Sequence, residues 1–210
     1  MKKENHVMEK IREIRLIPVV TADSVEQGLQ IMNALIAGGL PAAEVTFRTP
    51  AAEEALQAMT KAYPDALIGA GTVLNVSQAQ RAQAAGAQFI VSPGYSQEVV
   101  DYCQKENVTV IPGCMTPTEM QYAIASDLDV VKFFPAEAAG GLKLLKAVAA
   151  PYPNLRFMPT GGISQDNVGE YLAFDKIIAC GGSWMVSPAK NGDYEEVTRR
   201  TKEAVRLIQK

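Results

Sequence analysis

The chain has 210 residues, of which 48% are hydrophobic and 20% are charged, and its formal net charge is −3. A chain of this size can bury one sizeable core, so we expect a single domain over residues 1–210. The charge gives no basic field for nucleic acid, and no apolar run has the length of a signal peptide or a membrane span, so we expect a cytoplasmic protein.

Short β-rich runs alternate with helical segments along the chain. An N-terminal segment that places Val7, Ile11 and Ile14 on one stripe predicts an extra helix before the first run. The β-rich runs, in chain order, are "EIRLIPVVTA", "AAEVTFR", "ALIGAGTV", "AQFIVSPG", "VTVIPGC", "DVVKFFPA", "LRFMPTGG" and "DKIIACGGS". The segments between them are rich in Ala, Leu, Glu and Gln at helical spacing. After the first run, for example, Ser24 is a predicted N-cap and Gly38–Gly39 a predicted helix stop.

Eight strand–helix repeats predict an α/β fold with a parallel sheet and crossover helices. In a chain of this length the pattern favours a (β/α)8 TIM barrel, with the extra N-terminal helix closing one end. An open doubly wound sheet is the alternative, although no G-x-G-x-x-G follows the first strand.

Polar residues gather at the predicted carboxyl ends of the strands, where barrel enzymes place their chemistry. Strand side chains alternate between faces, so Glu44 and Arg48 share one face of the second strand. Lys132 lies on the sixth strand, between Val131 and Phe133. Turning the apolar neighbours toward the helices leaves Glu44, Arg48 and Lys132 converging on the barrel mouth.

Lys132 has two interpretations. It could be a structural lysine whose stem lies along the sheet while its head reaches water or a carboxylate. It could instead be a nucleophile, because an apolar site favours the neutral amine, which attacks a carbonyl to form a Schiff base. Glu44 could likewise pair with Arg48 or act as a general acid/base, and the planar fork of Arg48 suits a substrate carboxylate.

Two glycine-rich turns end the last two strands. "PTGGIS" and "CGGSW" permit close approach of the backbone, and barrel enzymes bind phosphate between these two loops. Two tight turns are the alternative, but both motifs together favour a phosphate site. In "IGAGTV", Ile68, Ala70 and Thr72 share a face, where small residues either leave room for a ligand or pack the core.

The sequence predicts no metal site and no cofactor. Its three cysteines form no C-x-x-C pair, and its single histidine, His6, is near the N-terminus. Cys114 and Cys180 are expected to be small core residues. Any chemistry therefore falls to Lys, Glu, Arg, hydroxyls and backbone.

Seven motifs, in order, resemble the 2-keto-3-deoxy-6-phosphogluconate (KDPG) and 4-hydroxy-2-oxoglutarate (KHG) aldolase family. They are "EVTFRT", "GAGTVLN", "VSPG", "PGCMTP", "VKFFPAE", "PTGGIS" and "GGSWMV". The resemblance covers nearly the whole chain. It implies a class I aldolase of the Entner–Doudoroff pathway, a metal-independent homotrimeric lyase that cleaves KDPG into pyruvate and glyceraldehyde 3-phosphate, with KHG as a second substrate.

The resemblance also implies roles for individual residues. Lys132 would form the Schiff base, Glu44 would shuttle protons through a water, and Arg48 would hold the pyruvate carboxylate. The other implied substrate contacts are Thr72, Pro93, Phe134, Thr160, Gly161, Gly162 and Ser183, the last three of them toward the phosphate.

Two other functions fit the residues without the resemblance. A sugar-phosphate isomerase or epimerase would use the same phosphate loops without a covalent adduct, but it lacks the expected histidines and metal ligands. A catalytically inert phosphate-binding or assembly protein would leave the inward charges unexplained, because buried charge is costly unless paired.

Overall fold

The computed structural model describes residues 6–209, in which eight short strands alternate with helices as predicted. The strands are β1 Leu16–Val20, β2 Ala42–Thr46, β3 Leu67–Gly71, β4 Phe89–Val91, β5 Thr109–Ile111, β6 Val130–Phe133, β7 Arg156–Pro159 and β8 Cys180–Gly182. The helices are α1 His6–Ile14, α2 Val25–Ala37, α3 Ala52–Ala62, α4 Val76–Ala84, α5 Gln97–Lys105, α6 Pro117–Ala125, α7 Ala136–Ala139, α8 Gly141–Ala149, α9 Val168–Leu172 and α10 Tyr194–Ile208, with a 3₁₀ helix at Ser187–Asn191.

All strand pairs of the described chain are parallel, and the sheet curls until its last strand meets its first. Six strands follow the order β5-β4-β3-β2-β1-β8, and β6 pairs with β7. Single bridges lie between these two groups, at Gly113 with Lys132 and at Thr160 with Gly181. The carboxyl ends of neighbouring parallel strands meet at one edge, so the loops after them surround a common space.

The two faces of the curled sheet pack in two separate apolar clusters. Val45, Val131 and Phe133 belong to the cluster shared with the surrounding helices, and Phe47 packs against it. The predicted outward direction of these side chains is confirmed. A smaller inner cluster joins alternate residues of the strands, and Ile11 of α1, fully buried, packs into it with Val7 and Ile14 beside it.

Local capping signals in the sequence set the helix ends. The Ser24 side chain accepts a hydrogen bond from the Gln27 N–H at 3.1 Å, as an N-cap does. At the other end Gly38 caps α2 and Gly39 adopts a left-handed φ of +86°. Both predicted ends of this helix are therefore confirmed. None of the helices in residues 6–209 combines the length and the apolar character that crossing a bilayer requires.

The cysteines behave as core residues. Cys103, Cys114 and Cys180 are all buried and unpaired in disulfides. Burial raises the pKa of each thiol to about 12, because the apolar surroundings disfavour the thiolate. Packing, rather than nucleophilic chemistry, accounts for Cys114 and Cys180, as the sequence predicted.

Candidate active site

Lys132 and Glu44 meet inside the curled sheet. Lys132 Nζ lies 3.5 Å from Glu44 Oε1, and the two side chains are 5% and 1% exposed. They belong to β6 and β2, which are not adjacent, so they reach each other across the interior. The carboxylate partner of Lys132 is therefore Glu44. The alternative pairing of Glu44 with Arg48 is absent from the ion pairs of the described residues.

The buried carboxylate of Glu44 lacks hydrogen-bond donors in the described chain. Neither of its oxygens has a hydrogen-bond partner among the described residues, although both atoms are shielded from solvent. Structural carboxylates in protein interiors are normally satisfied by several donors, because an unmet oxygen costs free energy. Among the described residues, the Lys132 ammonium is the cation within ion-pair distance of this carboxylate.

Gly71 makes room for that carboxylate. A Cβ built on Gly71 would stand 2.1 Å from Glu44 Oε1 and 2.6 Å from Glu44 Cγ, well inside van der Waals contact. Only glycine therefore lets β3 pass beside the Glu44 side chain. The second glycine of "IGAGTV" is thus a requirement of the site and not of a turn.

We expect Gly71→Ala to displace the Glu44 carboxylate, lowering the free energy of unfolding by about 1–3 kcal/mol and reducing turnover. Thermal unfolding and steady-state kinetics measure the two effects. Gly169→Ala is the matched control, because a Cβ there meets no atom within 4 Å and lies in helix α9. Wild-type stability and turnover in Gly71→Ala would contradict the packing described for Glu44.

Phe134 lies beside the Lys132 ammonium, and Pro93 packs on Gly113, the residue that is bridged to Lys132. The Lys132 ammonium lies 5.1 Å from the Phe134 ring centroid, within cation–π range. Gly113, bridged to Lys132, packs so closely on the Pro93 carbonyl that a Cβ would stand 2.1 Å from its oxygen. The loop after β4 thereby packs on the segment after β5, and that segment is bridged to the strand that carries the lysine.

Arg48 lines the cavity at the mouth, as predicted, but it does so from beyond the end of the strand and not from the strand itself. Strand β2 ends at Thr46, so strand alternation does not extend to Arg48, which is exposed. Its Nε donates to Thr72 Oγ1 at 3.0 Å. Thr72 has a φ of +58°, which is a strained conformation for a β-branched residue. Arg48 is therefore a cation at the rim of the site, not a third buried charge.

Ile68 and Ala70 are core residues, not the floor of a ligand site. Both belong to the cluster between the sheet and the helices. Thr72 lies beyond the end of β3 in a left-handed conformation, so it does not continue the strand's alternation. The packing interpretation of "IGAGTV" is the right one for these two residues.

A cavity of about 150 Å³ opens beside the rim and collects most of the remaining predicted residues. It is lined by Val19, Arg48, Phe134, Thr160, Gly161, Gly162, Ile163, Gly181, Gly182 and Ser183. Thr160 Oγ1 is buried there with no hydrogen-bond partner in the described chain, and a Cβ on Gly181 would stand 2.3 Å from it. Both glycine-rich loops thus face one small polar space.

A second cavity adjoins the first through three shared residues, Val19, Arg48 and Ser183. Asp23, Gln27 and Lys190 also line it, and the sequence reasoning missed all three. Gln27 lies in helix α2, whose sequence pattern predicts only packing, and Lys190 lies in the 3₁₀ helix, whose pattern predicts only a turn. Neither pattern marks a binding residue. No cluster of three or more metal-binding side chains occurs within residues 6–209.

The family model for KDPG and KHG aldolase matches residues 7–200. A 2-dehydro-3-deoxy-phosphogluconate aldolase of Treponema pallidum is 47% identical over 96% of this chain and 97% of its own length. The crystal structure of a Legionella pneumophila KDPG aldolase, with pyruvate captured as a covalent carbinolamine intermediate, has a TM-score of 0.91 and 38% identity, covering 98% of this chain and 99% of that one.

A Zymomonas mobilis 2-keto-3-deoxy-6-phosphogluconate aldolase structure with 3-phosphoglycerate has a TM-score of 0.90 and 37% identity over 95% of each chain. Identities of this size, over almost the full length of each relative, go well beyond a shared fold. This chain belongs to the KDPG and KHG aldolase family.

Proposed function

We propose that the protein is a class I aldolase that cleaves KDPG into pyruvate and glyceraldehyde 3-phosphate. The buried pair of Lys132 and Glu44, 3.5 Å apart, is the observation that carries this proposal. An amine in a largely apolar interior can act as a nucleophile once it has lost its proton, and a carboxylate within reach can take that proton. The covalent pyruvate intermediate of the Legionella pneumophila relative supports the same chemistry.

The reaction begins with attack of the neutral Lys132 amine on the keto carbon. The carbinolamine that forms loses water to give a protonated imine, with Glu44 delivering the proton that leaves with the hydroxyl. The bond between C3 and C4 then breaks, its electron pair moves into the imine to give an enamine, and the C4 hydroxyl proton passes to Glu44, through a water. Protonation of the enamine and hydrolysis of the imine release pyruvate and restore the amine.

Arg48 is proposed to bind the pyruvate carboxylate. Its guanidinium is a planar fork that matches a carboxylate in two hydrogen bonds. The bond from Arg48 Nε to Thr72 Oγ1 fixes one side of that fork and leaves its remaining N–H groups at the cavity rim. Phe134 and Pro93 are proposed to form apolar walls around the imine.

The two glycine-rich loops are proposed to bind the phosphate. Gly161, Gly162 and Ser183 line the same cavity, where backbone N–H groups can donate to an anion. Thr160, whose hydroxyl has no hydrogen-bond partner among the described residues, lines the same cavity and is proposed to contact the substrate chain. The 3-phosphoglycerate in the Zymomonas mobilis structure supports a phosphate monoester as ligand.

Pyruvate release from a panel of keto acids tests this function. We expect release from KDPG, and from KHG at a lower kcat/KM because KHG lacks the phosphate. Isomerisation or epimerisation of a sugar phosphate without pyruvate release would contradict the proposal, and so would tight binding of the panel without any product.

We also propose that the curled sheet is a closed (β/α)8 barrel and that the chain is one domain, with α1 across the amino end of the barrel. The bridges Gly113–Lys132 and Thr160–Gly181 support closure, and the packing of Ile11 in the inner cluster supports the place of α1. A single cooperative transition in calorimetry is expected, and two separate transitions would contradict a single domain.

The family resemblance further supports a cytoplasmic homotrimer. Static light scattering of the purified protein measures its mass in solution. A trimer's mass is expected, and a monomer's mass at working concentrations would contradict the assembly.

A further inference from the structure

The loop between β7 and α9 has two consecutive carbonyls tied back to the protein. The Glu137 N–H donates to the Gly161 carbonyl at 3.0 Å. The Asn167 side-chain amide donates from Nδ2 to the Gly162 carbonyl, also at 3.0 Å. One of these donors belongs to the backbone, and the other is a side chain that the family resemblance did not mark.

The tethered carbonyls determine where the following N–H groups point. In a trans peptide the C=O of one residue and the N–H of the next point in opposite directions. With the Gly161 and Gly162 oxygens held by these two donors, the N–H groups of Gly162 and Ile163 point away from the donors. Gly161, Gly162 and Ile163 all line the cavity proposed for phosphate, and neither N–H meets an acceptor in the described part of the chain.

Asn167 is itself held from two sides. Its Oδ1 accepts the Ser164 N–H at 2.8 Å, so one amide group closes the turn with its oxygen and holds the carbonyl with its nitrogen. It immediately precedes helix α9, which is anchored by fully buried Tyr171. The Tyr171 hydroxyl donates to Glu137, the residue whose N–H holds the Gly161 carbonyl.

We infer that Asn167 is a positioning residue for phosphate recognition: by holding the Gly162 carbonyl, it aims the Ile163 N–H at a phosphate oxygen of the substrate. An asparagine suits this position because its amide is both donor and acceptor and adds no charge beside an anion. The inference rests on the proposed phosphate site, and it gives Asn167 no part in the chemistry at Lys132.

Asn167→Ala tests the inference with two substrates. We expect KM for KDPG to rise roughly 10- to 100-fold, the loss expected for a hydrogen bond to a charged group. The kcat for KDPG and both constants for unphosphorylated KHG should stay within about twofold of the wild type. Asn154→Ala is the matched control, an exposed asparagine in the turn before β7, at the opposite end of that strand.

If Asn167→Ala does not fold, Asn167→Asp is the second variant, and we expect it to fold. A carboxylate still accepts the Ser164 N–H but cannot donate to the Gly162 carbonyl. We expect its KM for KDPG to exceed the wild type's even in about 1 M KCl, where the Debye length is about 3 Å and the added charge is screened.

Three outcomes separate the inference from the function on which it rests. Wild-type KM for KDPG in either variant would overturn the inference. Equal losses for KDPG and KHG would also overturn it, because the residue would then be merely structural. A wild-type protein that releases no pyruvate from either substrate would instead overturn the proposed function.

Discussion

Lys132→Arg abolishes pyruvate release while the protein remains folded. Arginine keeps the positive charge beside Glu44 and over the Phe134 ring, but a guanidinium does not form an imine with a ketone. The loss should reach the detection limit of the assay, because no other described side chain offers an amine at this position. Steady-state kinetics of the purified variant measures the loss of pyruvate release, and thermal unfolding shows whether the variant is folded.

The chain provides a matched control for this substitution. Lys146 also lies over an aromatic ring, 5.6 Å from the Phe174 centroid, but on an exposed helical surface. Lys146→Arg should therefore keep wild-type turnover. Substantial pyruvate release by Lys132→Arg would show that the lysine is structural, with its ammonium serving as a partner for Glu44.

Glu44→Gln lowers kcat by roughly 10²- to 10⁴-fold, the range expected for loss of a general acid/base. The amide keeps the shape of the side chain beside Gly71 but accepts no proton from the amine, the water or the substrate hydroxyl. We expect the effect in kcat rather than in KM, because the anion-binding groups at the rim are untouched. Stopped-flow and steady-state measurements of the variant separate the two constants.

Glu54→Gln, an exposed residue in the first turn of α3, is the control for the change of charge. It should leave both constants unchanged. If Glu44→Gln has wild-type kcat and a lower unfolding temperature, Glu44 serves as the structural counterion of Lys132 and the proton-shuttle role is wrong.

Local pattern was enough to predict the strands and their faces. Each β-rich run contains a strand, and Val45 and Val131 pack outward while Glu44 and Lys132 point inward. These predictions succeeded because alternation is a property of consecutive residues within a strand. Where a strand ended early, the same rule failed, as it did for Arg48 beyond the end of β2.

Contacts between residues far apart in the chain could not be predicted from the sequence pattern. Whether Glu44 pairs with Arg48 or Lys132 depends on which strands face each other across the interior, and spacing along the chain does not specify this. Asn167 looks like an ordinary residue before a helix until its amide is seen on the Gly162 carbonyl. The left-handed Thr72 likewise follows from its surroundings, since nothing in the local sequence favours that conformation.

Borohydride reduction in the presence of pyruvate tests the central chemistry most directly. The hydride converts an imine into a stable amine, so peptide mass spectrometry can locate the modified lysine. We expect a reduced pyruvate adduct on Lys132 and none on Lys146. A fully active enzyme that carries no adduct at Lys132 after this treatment would contradict the Schiff-base mechanism.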